Sequence, residues 1–254
     1  MRGRAGGVDG PAAGGGQHRR RGDGRDGTAF DGGYAEFALL PNDLLMPVRT
    51  SLPWETLAAL PETYLTAQGA LDALDVARGE RLLIRGGTSS VGMAAASIAA
   101  ALGVETAATT RRPHKAAALA ADHVLVDDGG PLTIAGWPEG TDHVLDLVGT
   151  STALDSLRLV RPGGTVCVAG ALSGWVIPAF EPIAMIPTGT RLTAFHSDIL
   201  RGAAGAHVLR RVVDQVEAGV LHPHVDRVSG LDEIAEADRH MEDDQATEKV
   251  VLVP

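Results

Sequence analysis

Residues 81–103, RLLIRGGTSSVGMAAASIAAALG, constrain the fold more than any other stretch of this chain. A short apolar run enters a knot of glycine, threonine and serine, and a long run of small residues at helical spacing leaves it. Glycines let the backbone bend tightly and approach another group closely. A helix opening there offers unpaired N–H groups and the positive end of its dipole, which is where a phosphate binds. Thr88, Ser89 and Ser90 add hydroxyl donors. A Gly-rich turn alone is weak evidence; its place between a strand and a helix of a βαβ unit gives it weight. The segment also reads as a plain strand-to-helix turn, and Ser90 stands where a strict G-x-G-x-x-G has glycine.

The flanking residues repeat the pattern. Strands are predicted at 81–85, 104–109, 123–126, 143–147, 165–169 and 191–195, with helices at 91–102, 113–120 and 151–160. Such alternation predicts an α/β chain, a doubly wound parallel sheet with helices on both faces. Ahead of it, 32–40 alternates enough to be a strand, and 41–48 reads as a turn and a second short strand. Pro53 and Pro61 mark helix starts. Behind the sheet come a long helix at 199–218, a strand, a turn, an acidic helix and a last strand at 249–253. These last strands are expected to pair with those of 32–48.

Of the 254 residues 44% are hydrophobic, enough for a sizeable core, and the formal net charge of −10 argues against a general nucleic-acid binder. The longest apolar run, 91–102, falls short of the roughly 20 residues that cross a bilayer. The N-terminus has charges but no apolar signal region. No nucleic-acid and no membrane partner are expected, and the expected location is the cytoplasm. A single cysteine, Cys167, excludes an internal disulfide and a Cys-rich zinc lobe, and reads as a buried small hydrophobe. His222 and His224 form H-x-H, but the intervening Pro223 and the lack of carboxylate or Cys company argue against a metal. Residues 1–29, full of Gly and Arg, read as a disordered basic tail.

The end of the second strand bears on cofactor type. An NAD-preferring sheet places Asp or Glu there, roughly 20 residues past the first glycine, to hold the ribose hydroxyls. This chain has ATTRRPHK, with Thr110, Arg111, Arg112 and Lys115 and no carboxylate. Cations attract a 2′-phosphate that a carboxylate would repel, so NADPH is expected over NADH. The same run also reads as a basic helix start on a solvated surface.

Strand–GGTSSVG–helix–strand–TTRR is accompanied, in order, by FDGGYAEF (30–37), LAALPETYLTAQGAL, GTDHVLDLVG (140–149), LVRPGGTVCVAG (159–170), LTAFHS (192–197) and KVVLVP. Together they resemble the medium-chain dehydrogenase/reductase superfamily, in its zinc-independent NADPH:quinone oxidoreductase-like branch, over residues 30–254. The resemblance implies a Rossmann domain plus the remnant of a GroES-like β-domain. It divides the chain into a tail (1–29), a partial GroES-like domain (30–62), an NADP-binding domain (63–222) and a return to the first domain (223–254). It implies hydride transfer from NADPH to quinones or other α,β-unsaturated carbonyls. An enoyl-thioester reductase of the same superfamily and a non-catalytic NADPH-binding remnant stay open as alternatives. A methyltransferase on a similar sheet is disfavoured, because TTRR lacks the acidic residue that holds an adenosine ribose.

Carried over position by position, the resemblance assigns Gly87, Thr88, Ser89, Ser90, Val91 and Gly92 to the pyrophosphate turn. It assigns Thr110, Arg111 and Lys115 to the adenosine-phosphate end, and Leu147, Val148, Gly149, Gly170 and Ala171 to the strand ends beside the ribose. Phe195, His196 and Ser197 fall at the nicotinamide edge, and Lys249 in the closing motif. There the family often has glycine before the lysine; Glu248 is expected to point outward, or that contact is lost. Tyr64, as a wall of the cleft, and His196, polarising an acceptor, are the catalytic candidates, each with packing as the bland account. The resemblance implies further β-structure ahead of residue 30, where this sequence carries the Gly/Arg tail instead. Read one base over, RRRGDGRDGTAF gives a segment like the one that precedes this strand in relatives, so an out-of-frame N-terminus is one expectation. A homodimer through an edge of the cofactor sheet is another, with GWVIPAFEP (174–182) either as that edge or as a covering loop.

Overall fold

The computed structural model describes residues 33–243 and 245–254. In chain order its elements are α1 (Trp54–Ala58), α2 (Leu60–Leu74), β1 (Arg81–Arg85), α3 (Ser90–Leu102), β2 (Glu105–Thr110), β3 (His123–Val126), β4 (Thr141–Asp146), α4 (Ala153–Leu159), β5 (Val160–Val168), α5 (Pro182–Met185), β6 (Arg191–Ala194), α6 (Gly202–Glu217), β7 (Val225–Gly230), α7 (Ile234–Glu242) and β8 (Lys249–Val253).

Strands β1 to β6 form one parallel sheet in the order β3-β2-β1-β4-β5-β6. The chain grows outward from β1 to β3, then returns to lay β4 on the other side of β1. That reversal opens a crevice at the C-terminal ends of β1 and β4, where ligands of open α/β sheets bind. The apolar run of β1 is continuous because both its faces are covered. Leu82 and Ile84 pack toward α2, α3 and α6, while Leu83 packs on the opposite face with Val144, Leu157 and Val166. Leu82, Leu83 and Ile84 are fully buried, each worth about 1.5–3 kcal/mol of burial. At the edge, β3 alternates instead, and Val124 and Val126 reach solvent. Helix α3 packs on the sheet through mostly small residues, Ala94, Ala95, Ala96 and Ala99, with Ile98 the one large side chain it buries. Ser89 caps its start, and Gly103, at φ 79°, ends it in the left-handed conformation that glycine favours. Pro53 precedes α1 and Pro61 sits in the first turn of α2, both as predicted.

Four expectations are corrected. No strand forms over 33–40, and 41–48 holds a 3₁₀ turn (Asn42–Leu44) followed by extended chain. Alternation is present, but a strand exists only by pairing, and Tyr34, Phe37 and Leu39 remain exposed. Strands β7 and β8 therefore do not pair with 32–48; they pair in parallel with each other, from Val225↔Lys249 to Gly230↔Val253. The helix expected at 113–120 is a 3₁₀ turn, Pro113–Ala118, too short to propagate an α-helix. The helix expected from 199 starts at Gly202, after a 3₁₀ turn at Ser197–Ile199. The readings of residues 1–29, and of the out-of-frame segment within them, lie outside the described residues. None of the helices among the described residues is long and apolar enough to cross a membrane.

Candidate cofactor site

The turn between β1 and α3 is fixed by its own short bonds. Gly86 N donates to Thr109 Oγ1 (3.1 Å) and Gly87 N to Thr109 O (2.8 Å), tying the turn to the end of β2. Ser89 Oγ donates to Gly86 O (2.8 Å) and accepts from Gly92 N (3.1 Å). A methyl group on Gly92 would stand 2.6 Å from Gly86 O and 2.7 Å from Gly87 O, so this glycine is what lets α3 start against the turn. Once these bonds are made, the N–H groups of Thr88, Ser90 and Val91 have no hydrogen-bond acceptor among the described residues. Three donors at one helix start form an anion-binding arrangement.

The second half of the crevice is organised by a residue that the sequence reading did not single out. Asp146, at the end of β4, is fully buried. Its carboxylate accepts from Val148 N (3.0 Å), Gly149 N (3.0 Å), Thr152 Oγ1 (2.8 Å) and Ser156 Oγ (2.7 Å). It thereby holds the loop of Leu147, Val148 and Gly149 in place. Gly149 adopts φ 109°, and Gly170 lies so close to Leu147 that an added methyl would sit 1.8 Å from its carbonyl oxygen. The ends of β4 and β5 meet through these two glycines, and Ala171 follows directly.

At the end of β2, Thr110 is buried and its hydroxyl is committed to the backbone of Arg112. Arg111 is exposed. Lys115 is buried, with Nζ 3.1 Å from Ala246 O. Beside it, a cavity of about 550 Å³ is lined by Arg112, His114, Lys115, Asp243, Gln245 and Thr247. Arg112 and His114, not Arg111, are thus the basic side chains that share a cavity with Lys115.

Phe195 buries its ring against Gly69 of α2, and its backbone N–H donates to Val168 O of β5 (3.1 Å). His196 and Ser197 are half-buried just beyond β6, and His196 Nδ1 lies 2.8 Å from Asp198 Oδ1. That approach is not aligned as a hydrogen bond. Tyr64 is buried in α2, and burial pushes its phenol up to about 12, the charge of Glu248 adding to this and a hydrogen bond with Ser97 opposing it. It belongs to the core, so the packing account of Tyr64 is the one its surroundings favour. Glu248 does not point outward: its carboxylate accepts from His224 N (2.8 Å). Together with Ser90, Lys249, Tyr34 and Asp238 it lines a second cavity, of about 540 Å³.

The crevice, the donor-rich turn and the parallel sheet define a dinucleotide-binding oxidoreductase fold of the medium-chain type. Residues 119–252 match the family model described as zinc-binding dehydrogenase. The chain belongs to this family, in its quinone oxidoreductase-like medium-chain branch. A quinone oxidoreductase of Pseudomonas syringae pv. Tomato has a similar structure, with TM-score 0.77 and 26% identity over 88% of this chain and 72% of that one. A mycobacterial protein solved in complex with NADPH is similar too, with TM-score 0.73 and 26% identity over 82% of this chain and 66% of that one. In sequence, the polyketide synthase GfsB of Streptomyces halstedii is 32% identical over 230 residues, which is 87% of this chain and 4% of the synthase. The family description names zinc, but among the described residues no group of three or more His, Cys, Asp or Glu is placed to hold a metal ion. The described residues do not fit such a centre.

Proposed function

We propose that this chain is an NADPH-dependent oxidoreductase that delivers hydride to quinones or other α,β-unsaturated carbonyls. The observation that carries the reading is the set of unpartnered N–H groups of Thr88, Ser90 and Val91 at the start of α3, at the strand-order reversal of the sheet. They suit a pyrophosphate, and the glycines at 87 and 92 leave the room its approach requires. No carboxylate ends β2, while Arg112 and Lys115 share a cavity beside it with His114 and Asp243; the two cations there favour a 2′-phosphate. The NADPH complex of the mycobacterial neighbour is in keeping with this choice. On this reading the chain divides at about residues 62 and 222, with the segments before and after forming the acceptor side of the cleft.

NADPH, when bound, supplies the hydride. The chain's own part is positional. The α3 turn anchors the diphosphate, the Asp146-braced loop and Gly170 border the ribose, and the backbone of Phe195, His196 and Ser197 borders the nicotinamide. A conjugated carbonyl accepts hydride readily, so holding the two carbons close accounts for most of the required rate. His196 is the remaining candidate for polarising the acceptor oxygen, with Asp198 Oδ1 2.8 Å from its Nδ1.

A second reading, an enoyl-thioester reductase, is favoured by the structural likeness to the CurK enoyl reductase, with TM-score 0.67 and 25% identity over 81% of this chain. Homodimerisation through the open edge of β6 fits the exposed Trp175 and Val176 nearby. Fluorescence titration with NADPH and NADH, followed by turnover with a quinone and with an enoyl thioester, tests these readings. Saturable binding that prefers NADPH, with turnover of one acceptor, is the expected result. Binding without turnover would make the chain a non-catalytic nucleotide binder. Failure to bind either nucleotide would overturn the reading.

A further inference from the structure

Glu248 sits where its charge matters and where its backbone is uncomfortable. Its φ is 70°, in the left-handed region that a residue with a Cβ seldom occupies. Its side chain is folded inward, to His224 N, and only 15% of it is exposed. From there it lines the same cavity as Ser90, the first residue of α3, and Lys249, its own neighbour. One cavity wall therefore holds a carboxylate and a lysine together with the first residue of α3.

We propose that Glu248 sets the anion affinity of this cavity: ionised, it offsets Lys249 and repels a nucleotide diphosphate at the α3 turn; protonated, it leaves the lysine charge to attract one. The proposal rests on the dinucleotide reading of that turn. Burial already shifts the carboxyl toward its neutral form, although the hydrogen bond from His224 N and the nearby His224 ring, at 4.0 Å, pull the other way. The remaining titratable or charged groups around it are Tyr64 of α2, Asp238 of α7, Tyr34 and Lys249. Asp238 accepts a 3.4 Å hydrogen bond from Tyr34 and adds a negative charge to the wall. Binding of the diphosphate then takes up a proton, because the ligand favours the protonated carboxyl.

The test is calorimetric titration of the full chain with NADPH and, separately, with NADH, at about pH 8 and about pH 5.5, in two buffers of different ionisation enthalpy. The wild type and two variants are compared. Glu248→Gln keeps an acceptor for His224 N and removes the charge; Glu248→Gly removes the charge and relieves the backbone. The expected result is wild-type binding that tightens as pH falls, with proton uptake. Both variants should bind roughly three- to tenfold more tightly than the wild type at the higher pH, with most of the proton uptake gone. NADH should show the same contrast, which excludes the 2′-phosphate and its surroundings as the source. Variants that bind as the wild type does, with the same pH slope and proton uptake, would overturn the proposal and leave the dinucleotide site standing. Binding of neither nucleotide by any of the three chains at either pH would overturn the site and the proposal together.

Discussion

Arg85 Nη2 and Asp127 Oδ2 lie 2.7 Å apart across the C-terminal ends of β1 and β3, with side chains only 2% and 8% exposed. Arg85 Nη1 reaches a second carboxylate, Asp155 of α4, at 2.6 Å. One guanidinium thus fastens two strand ends and a helix on the residue that immediately precedes the glycine turn. Removing it strands two carboxylates, one of them buried. Arg85→Met is expected to destabilise the chain by about 3–5 kcal/mol, measured as a fall in the urea midpoint. A loss below about 1 kcal/mol would mean that the pair contributes little beyond the packing of its stem.

Two glycines, one in the crevice and one outside it, predict a contrast between sites. Alanine at Gly170 would place its methyl 1.8 Å from the Leu147 carbonyl oxygen, and only backbone movement relieves that. A cost at the top of the usual overpacking range, about 3 kcal/mol, is expected, together with weaker nucleotide binding. Alanine at Gly79, where φ is +84° but nothing lies within 4 Å, should cost only the left-handed backbone, about 1–2 kcal/mol, and leave binding unchanged. Thermal melts and nucleotide titrations of the two variants check both halves.

Glu105 gives the folded state an acid dependence. The Trp137 indole N–H at 3.0 Å, the His123 ring at 3.1 Å and Arg81 Nε at 3.1 Å hold its carboxyl at about 2, below the ordinary 4.5. A depressed folded-state value stabilises the fold above the unfolded value, and the contribution fades as pH falls through the folded one. The stability gap between wild type and Glu105→Gln should therefore be full above pH 4.5 and close as pH approaches 2. Denaturant titrations across that window measure it. A gap independent of pH would place the effect in packing.

For nucleotide preference, the cavity beside β2 makes Arg112 and His114 the residues to change. Arg112→Ala and His114→Ala are expected to weaken NADPH binding by about 1.5–3 kcal/mol each while sparing NADH, because only NADPH carries the charged phosphate whose hydrogen bond is removed. Arg111→Ala, at an exposed position outside that cavity, should change neither. Dissociation constants for both nucleotides decide it.

The parts of this molecule that were legible in the sequence are those whose causes are local. Arg81–Arg85, His123–Val126 and Lys249–Val253 are strands with the predicted bounds, since short apolar runs between turn residues announce themselves. The β1–α3 turn was legible for the same reason: Gly87, Ser89 and Gly92 act within a few residues of one another. The segment 33–40 misled because alternation records which residues would face a core, and not whether a neighbouring strand is present to receive their hydrogen bonds. Asp146 was overlooked because it looks, in sequence, like an ordinary polar residue at a strand end; its role rests on Thr152 and Ser156 in the next helical turns. Arg85 gives no hint of Asp127 and Asp155, 42 and 70 residues away. The inward turn of Glu248 depends on His224, which approaches it only because β7 and β8 pair.

The one thiol of this chain, on Cys167, stands in the middle of the central sheet, wholly enclosed, with burial pushing its ionisation up to about 12. It is therefore a built-in clock for opening. A thiol reagent finds no second cysteine to consume it, and it reaches this one only when the helical layer packed on that face of β5 lifts away. The rate of alkylation under native conditions reports those excursions, and a bound nucleotide that locks the crevice should slow it.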